Sequence, residues 1–241
     1  MKRISQFLMP VTLIFFLLAG CSSGNGLIEK EREEQSGGEI SYLALGDSYT
    51  IGESVPEEDR WPVQLVQRLR QEGYDLAYPE IIAQTGWTTG DLLDAMDQRL
   101  GEEKYDLISI SIGVNNQYQG RSIEEYEKEL NEIFRRAIQR SVRGANGVFV
   151  VSIPDYGATP FGADNAEEIG REIAQFNAVL KRVSKEFGIP FYNITPISQL
   201  GKDRPELVAE DGLHPSGKMY KLWVDEIYEE VLELLSTYSK L

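Results

Sequence analysis

The chain has 241 residues and a formal net charge of −15, because 39 acidic side chains oppose 24 basic ones. Such an acidic surface repels phosphate backbones and anionic headgroups, which excludes nucleic acid as a predicted partner and disfavours direct adsorption to a membrane. The chain has one cysteine and one histidine. A single cysteine cannot form an intrachain disulfide, and these two residues cannot supply a zinc ligand set. No phosphate-binding glycine motif occurs either. We therefore predict no metal and no cofactor.

The N-terminus has the pattern of an export signal. Lys2 and Arg3 precede an apolar run over 7–19, which is too short to span a bilayer comfortably. The run ends in "LLAGC", and this segment resembles the lipobox of bacterial lipoproteins. The resemblance implies cleavage before Cys21 and attachment of lipid to its thiol. An ordinary secretory signal peptide and a short membrane anchor remain the alternatives.

Three segments follow from this pattern: a lipoprotein signal peptide over 1–20, a lipidated cysteine with a flexible tether over 21–38, and a folded domain over 39–241. The tether is rich in serine, glycine and charge, so it has little to bury. The predicted location is the bacterial cell envelope. There the protein would be lipid-anchored to a membrane through Cys21 and would face the periplasm or the exterior. We expect a monomer.

Short apolar runs alternate with amphipathic stretches along the folded domain. The runs predict strands and the stretches predict helices, with the strands at 40–46, 78–84, 105–113, 147–154 and 190–194 and the helices at 61–73, 88–101, 122–140, 166–187 and 218–238. Alternation of this kind predicts an α/β fold. We expect a three-layer, doubly wound, flavodoxin-like sandwich of about five parallel strands with helices on both faces.

Ligands bind such folds at the carboxyl ends of the strands, so the residues that follow each strand are the candidates. Ser48 follows the first predicted strand, Gly86 the second and Asn115 the third, and His214 precedes the last helix. Each residue also has a purely structural interpretation. Ser48 alone would be a helix cap, Gly86 a turn residue, Asn115 a loop brace and His214 a solvated turn residue.

Together these residues contain the groups that acyl transfer requires. Ser48 is the candidate nucleophile, and His214 is the candidate base, because an imidazole titrates near neutrality. Asp211 lies three residues before His214 and is placed to hold the ring. The backbone amides of Ser48 and Gly86 and the side-chain amide of Asn115 are the predicted oxyanion donors.

Four short blocks resemble those of the SGNH hydrolases, also called GDSL esterases and lipases: "GDSYT", "QTGWT", "GVNN" and "DGLHP". The resemblance runs from about residue 40 to the C-terminus. It implies a serine ester hydrolase with a Ser48–His214–Asp211 triad and an acyl-enzyme. The family often has Asp after the asparagine of the third block, whereas this chain has Asn116.

The substrate is less well defined by the sequence. The resemblance implies a small-molecule ester, a lipid such as a lysophospholipid, or a glycan ester. Four aromatic residues near strand ends are candidate pocket residues: Trp87, Tyr118, Tyr156 and Phe161. Two alternatives stay open, namely a carbohydrate acetylesterase of the same fold and a lipoprotein that binds an ester without turnover.

Overall fold

The computed structural model describes residues 39–236. The predictions for the signal peptide, Cys21 and the tether therefore lie outside the described residues. Within 39–236, no helix is both long enough and apolar enough to cross a bilayer.

A five-stranded parallel sheet forms the centre of the domain, in the order β2-β1-β3-β4-β5. The strands are β1 (Tyr42–Asp47), β2 (Glu80–Gln84), β3 (Leu107–Ser111), β4 (Val148–Val151) and β5 (Phe191–Tyr192). Residues of β1, β3 and β4 are buried throughout, as expected for strands covered on both faces. The strand order changes direction beside β1, which makes the carboxyl end of β1 the switch point of the sheet.

Eight α-helices connect and cover these strands within the described residues. They are α1 (Ser48–Ile51), α2 (Trp61–Gln71), α3 (Thr89–Arg99), α4 (Val114–Tyr118), α5 (Ile123–Arg140), α6 (Ala166–Glu186), α7 (Thr195–Ser198) and α8 (Gly217–Ser236). Helices α2 and α8 pack together, and α5 packs against both α3 and α6. The predicted α/β sandwich is confirmed.

Two of the predicted helices begin at a side-chain cap. Thr88 and Asp91 form a reciprocal capping box at the start of α3, with the side chain of each residue accepting from the backbone of the other. Ser122 Oγ accepts a hydrogen bond from the Glu125 amide at the start of α5. The predicted strand at 190–194 is shorter than expected, because only Phe191 and Tyr192 pair with β4.

Candidate active site

The candidate nucleophile lies at the junction of β1 and α1. Asp47 ends the strand and caps the helix, since its Oδ1 accepts a hydrogen bond of 3.0 Å from the Tyr49 amide. Ser48 is the first residue of the helix and is 3% exposed. Gly52 ends this one-turn helix in the left-handed region, and its amide bonds to the Ser48 carbonyl. The turn thus fixes the backbone of Ser48 at the switch point of the sheet.

The carboxyl group of Asp47 is buried directly beside Ser48. Burial raises the pKa of Asp47 to about 7, although hydrogen bonds from the amides of Tyr49, Asp47 itself and Gly113 oppose the shift. A large fraction of this carboxyl is therefore protonated at neutral pH. The cap next to the nucleophile then carries less negative charge than an exposed aspartate would.

His214 and Asp211 form a close pair. His214 Nδ1 lies 2.6 Å from Asp211 Oδ2, and Asp211 Oδ1 accepts bonds of 2.9 Å from the amides of both Leu213 and His214. An ionised carboxylate only accepts, so the Nδ1 atom carries the proton and Nε2 is the basic nitrogen. His214 is 6% exposed. The ring of Tyr49 packs against the imidazole, with 5.2 Å between centroids.

Asp211 is held in its charged form. Partial burial acts to raise its pKa, but the side chains of Ser54 and His214 and the amides of Leu213 and His214 all donate to it. The net result is a pKa well below the ordinary value for an aspartate. The negative charge opposite Nδ1 is therefore present throughout the neutral range.

Two loops bring the candidate oxyanion donors to the same place. Gly86 has a φ of +83°, and a Cβ at this position would meet no protein atom within 4 Å. Glycine is therefore favoured at position 86 because of the backbone conformation, and not because a side chain would collide with its neighbours. Asn115 lies in the first turn of α4 and donates through Nδ2 to the Trp87 carbonyl at 3.0 Å. Because a carboxamide nitrogen has two protons, Asn115 Nδ2 has a second one to donate.

Most of the candidate residues line one cavity of about 220 Å³. The lining consists of Ser48, Tyr49, Thr85, Gly86, Val114, Asn115, Tyr118, Tyr156, Phe161, Leu213 and His214. Trp87 does not line it, because its half-buried ring packs against the hydrophobic core and only its carbonyl reaches Asn115. The cavity is mainly apolar, and no basic side chain other than the imidazole lines it.

Residues 44–222 match the family model of the GDSL-like lipases/acylhydrolases, which covers most of the chain. The chain belongs to this family. An arylesterase of Vibrio mimicus is 28% identical over 192 residues, which are 79% of this chain and 86% of that protein. The protein is accordingly a GDSL esterase/acylhydrolase.

Solved structures share the fold of this GDSL hydrolase. A psychrotrophic esterase, EstA from Pseudoalteromonas sp., has a TM-score of 0.62 at 19% identity, covering 82% of this chain and all of its own. A variant of an acetyl xylan esterase from Geobacillus stearothermophilus also has a TM-score of 0.62, at 20% identity, covering 80% of this chain and 94% of its own. These two likenesses concern the fold.

Asn116 stands where the GDSL pattern often has Asp, and the structure gives a local reason for the amide. Asn116 is fully buried. Its Oδ1 accepts from the Thr89 amide at 3.0 Å, and its Nδ2 donates to Thr89 Oγ1 at 2.6 Å. Thr89 Oγ1 in turn donates to Glu129. An aspartate would lack the donor and would add a second negative charge close to Glu129, so the amide suits this neighbourhood.

Three aromatic rings line one side of the GDSL enzyme's cavity. The rings of Tyr118, Tyr156 and Phe161 lie 6.0 to 6.2 Å apart, centroid to centroid. Tyr118 and Phe161 are 59% and 52% exposed, whereas Tyr156 is buried. The Phe161 amide bonds to the Gly212 carbonyl at 3.0 Å, which connects this aromatic wall to the turn that carries Asp211 and His214.

Sequence reasoning missed several lining residues. Tyr49 and Leu213 are direct neighbours of Ser48 and His214, so adjacency was a usable signal for them. Thr85 and Val114 precede Gly86 and Asn115 in the same way. Within residues 39–236, no group of histidine, cysteine or acidic side chains could hold a metal ion.

Proposed function

We propose that this GDSL enzyme hydrolyses carboxylic esters through a Ser48–His214–Asp211 triad. The observation that carries the proposal is the 2.6 Å contact between His214 Nδ1 and Asp211 Oδ2, at a cavity that Ser48 also lines. The contact leaves Nε2 as the proton acceptor, which is the arrangement that general-base activation of a serine hydroxyl needs.

The reaction then proceeds in two halves. Ser48 Oγ attacks the carbonyl carbon while His214 Nε2 takes the hydroxyl proton, and the carbonyl electron pair moves onto oxygen. Collapse of this oxyanion expels the alcohol, which receives the proton from His214 and leaves the acyl group on Ser48. Water attacks the acyl-enzyme with His214 again as base, which releases the carboxylic acid and restores Ser48.

Three donors stabilise the oxyanion in this mechanism: the backbone amides of Ser48 and Gly86 and the Nδ2 group of Asn115. The first lies at the N-terminus of α1, and the other two follow β2 and β3. Donors fixed by the backbone require little reorganisation as the negative charge develops, and this is why they favour the transition state over the bound ester.

The cavity favours an uncharged, short acyl group. Its volume of about 220 Å³ lies below the roughly 300–1,000 Å³ of sites that enclose larger ligands. The lining is mainly apolar, and Tyr118, Tyr156 and Phe161 supply aromatic contact. A lysophospholipid with a long acyl chain would extend beyond this cavity, so short acyl esters are the proposed substrates.

A carbohydrate acetylesterase is the second candidate. The exposed rings of Tyr118 and Phe161 beside the cavity offer flat faces on which a sugar could stack. The fold neighbour named as an acetyl xylan esterase accords with this candidate. Rates on a series of simple esters of two to twelve carbons, measured beside rates on acetylated sugars, distinguish the two.

We also propose that the enzyme is exported and anchored by lipid at Cys21. The support is the sequence "LLAGC" after a basic start and an apolar run. The anchor would keep the acidic domain near a membrane that its own surface charge repels. The proposed site of action is the cell envelope, outside the cytoplasm.

Replacement of Ser48 or His214 by alanine tests the mechanism. We expect each variant to lose at least about 10³-fold in kcat on a short chromogenic ester, because the two side chains act as one unit. A fluorophosphonate should label the wild-type enzyme at Ser48 and should not label Ser48→Ala. Unchanged melting temperatures serve as the control for folding. Label on a different serine, or wild-type turnover in either variant, would refute the triad.

A further inference from the structure

Ser54 has an unusual backbone conformation close to the candidate active site. Its φ is +66°, and it is the one non-glycine residue with a positive φ in the part of the chain that the structure describes. A side chain rarely adopts this region, and such residues cluster at functional sites where the surroundings enforce them. The contacts that hold Ser54 in this conformation are made by the segment that follows α1.

The Ser54 hydroxyl contacts the triad directly. Ser54 Oγ donates to Asp211 Oδ2 at 2.6 Å, although 157 positions separate the two residues in the sequence. The same oxygen faces His214 Nδ1. The three other donors to Asp211 that the structure describes all come from its own turn, namely the amides of Leu213 and His214 and the imidazole. Ser54 therefore ties the carboxylate to a different element.

That element is the segment that carries the nucleophile. The amides of both Gly52 and Glu53 bond to the Ser48 carbonyl at 3.0 Å, so the chain folds back immediately after α1. Ser54 follows directly, and its position relative to Ser48 is set by this turn. A short, hydrogen-bonded run of seven residues thus connects the nucleophile to the acid that orients the base.

The neighbouring residue makes a second cross-link from the same segment. Thr85 Oγ1 donates to the Glu53 carboxylate. Thr85 immediately precedes Gly86, the candidate backbone donor to the oxyanion. Consecutive side chains at 53 and 54 therefore reach the loop after β2 and the turn of Asp211. The left-handed conformation at Ser54 turns the backbone at the point where the two side chains diverge.

We propose that Ser54 is a positioning residue for the triad: its hydroxyl holds the Asp211 carboxylate in register with the segment that carries Ser48. The inference rests on the proposed triad mechanism. A hydrogen bond to Oδ2 both fixes the carboxylate plane and draws charge away from the His214 contact. Without it, the carboxylate rotates more freely and binds the imidazolium more strongly.

Three substitutions separate the hydroxyl from the backbone strain. Ser54→Ala removes the hydroxyl and keeps the strained conformation, whereas Ser54→Gly removes the hydroxyl and relieves the strain. Ser54→Thr keeps the hydroxyl. The matched control is Ser122→Ala, which removes an exposed serine hydroxyl at the start of α5 that does not line the cavity. All are measured in the full chain on one short acyl ester from pH 5 to pH 9.

We expect Ser54→Ala and Ser54→Gly to lower kcat about three- to tenfold with little change in KM, because substrate binding does not involve this hydroxyl. The acid limb of kcat/KM should move to higher pH in both, since Asp211 then holds the imidazolium more strongly. Ser54→Thr should keep the wild-type acid limb through its hydroxyl, but it should lower the melting temperature, because a β-branched side chain is disfavoured at a φ of +66°. Ser122→Ala should keep the wild-type rate and the wild-type acid limb, and only its melting temperature should fall.

Other titratable groups near the imidazole contribute equally to all of these profiles. Tyr49 and Tyr156 remain neutral across the range, because burial raises the pKa of each phenol. Asp47 titrates within it, and the buried Asp155 lines a small cavity together with His214, but both residues are present in every variant. The difference between profiles therefore isolates the Asp211–His214 pair.

Two results would overturn the positioning role. One is wild-type kcat in Ser54→Gly together with a slow Ser54→Ala, which would assign Ser54 to backbone conformation alone. The other is an unmoved acid limb in both variants with lowered melting temperatures, which would assign it to stability. A Ser48→Ala enzyme measured in parallel separates these outcomes from failure of the triad, since activity in that enzyme would refute the mechanism itself.

Discussion

The carboxamide of Asn115 is fixed through one proton, which donates to the Trp87 carbonyl, and can present the other to the cavity. Replacement by alanine should lower kcat by about 10²–10³-fold with KM nearly unchanged, because the lost donor acts on charge that exists only in the transition state. Asn115→Asp should be slower still, since a carboxylate would face both the oxyanion and the Trp87 carbonyl. Steady-state kinetics of the two variants provide the measurement.

A bracing role for Asn115 makes a different prediction. It requires a raised KM, a modest loss in kcat and a lower melting temperature in both variants. Melting curves recorded beside the kinetics therefore serve as the control. Wild-type kcat in Asn115→Asp would remove Asn115 from the oxyanion site.

The sequence predicted some residues of the candidate site and missed others. Ser48, Gly86, Asn115 and His214 were found because each lies in a recognisable block, and the structure places all four along one cavity. Their chemical roles stay predictions. Ser54 could not be found in this way, because its contact with Asp211 spans 157 positions and depends on the finished fold. Trp87 was chosen for its ring, but its carbonyl makes the relevant contact.

At the scale of elements, the one-turn helix α1 depends on a buried acid as its cap. The carboxyl of Asp47 has a pKa of about 7 in the folded chain, against about 3.9 for a free aspartate. Below pH 4 the Asp47 carboxyl is protonated in both the folded and the unfolded chain. Between pH 4 and pH 7 this carboxyl loses its proton only in the unfolded chain. This group therefore lowers stability as pH rises to 7 and adds nothing further above it.

Asp47→Asn tests this titration, because asparagine can still accept from the Tyr49 amide but carries no charge. We expect its free energy of unfolding, relative to wild type, to increase by about 4 kcal/mol between pH 4 and pH 7 and then to level off. Urea unfolding at several pH values gives the curve for each protein. Two parallel curves would show that Asp47 is ionised in the fold.

The sequence predicted long elements better than short ones. Apolar runs identified all five strands, and helical periodicity identified α2, α3, α5, α6 and α8. It did not identify α1, α4 and α7, which have four, five and four residues. Helices this short have no full amphipathic period, and each of these three lies shortly after the end of a strand.

At the scale of the whole molecule, the proposed attachment to a membrane depends on Cys21. Cys21→Ser should abolish incorporation of a clickable fatty acid and shift the enzyme from the membrane fraction to a soluble or unprocessed form. The reason is that a serine hydroxyl cannot form the thioether. Fractionation of cells, followed by an ester hydrolysis assay on each fraction, reports both properties. Ser122→Ala serves as the labelled control. If the wild-type chain takes up no label, residues 1–20 are an ordinary signal peptide or a short membrane anchor.

The sole histidine of the chain would make the proposed catalytic centre visible without any labelling strategy. His214 is the one imidazole among 241 residues, so its ring protons should give a single set of lines in a nuclear magnetic resonance spectrum. No assignment by mutagenesis is then needed to follow protonation or acylation there. The ring of Tyr49 at 5.2 Å should also shift those lines through its ring current. Substrate screening could therefore be followed at the proposed base through the resonances of one ring.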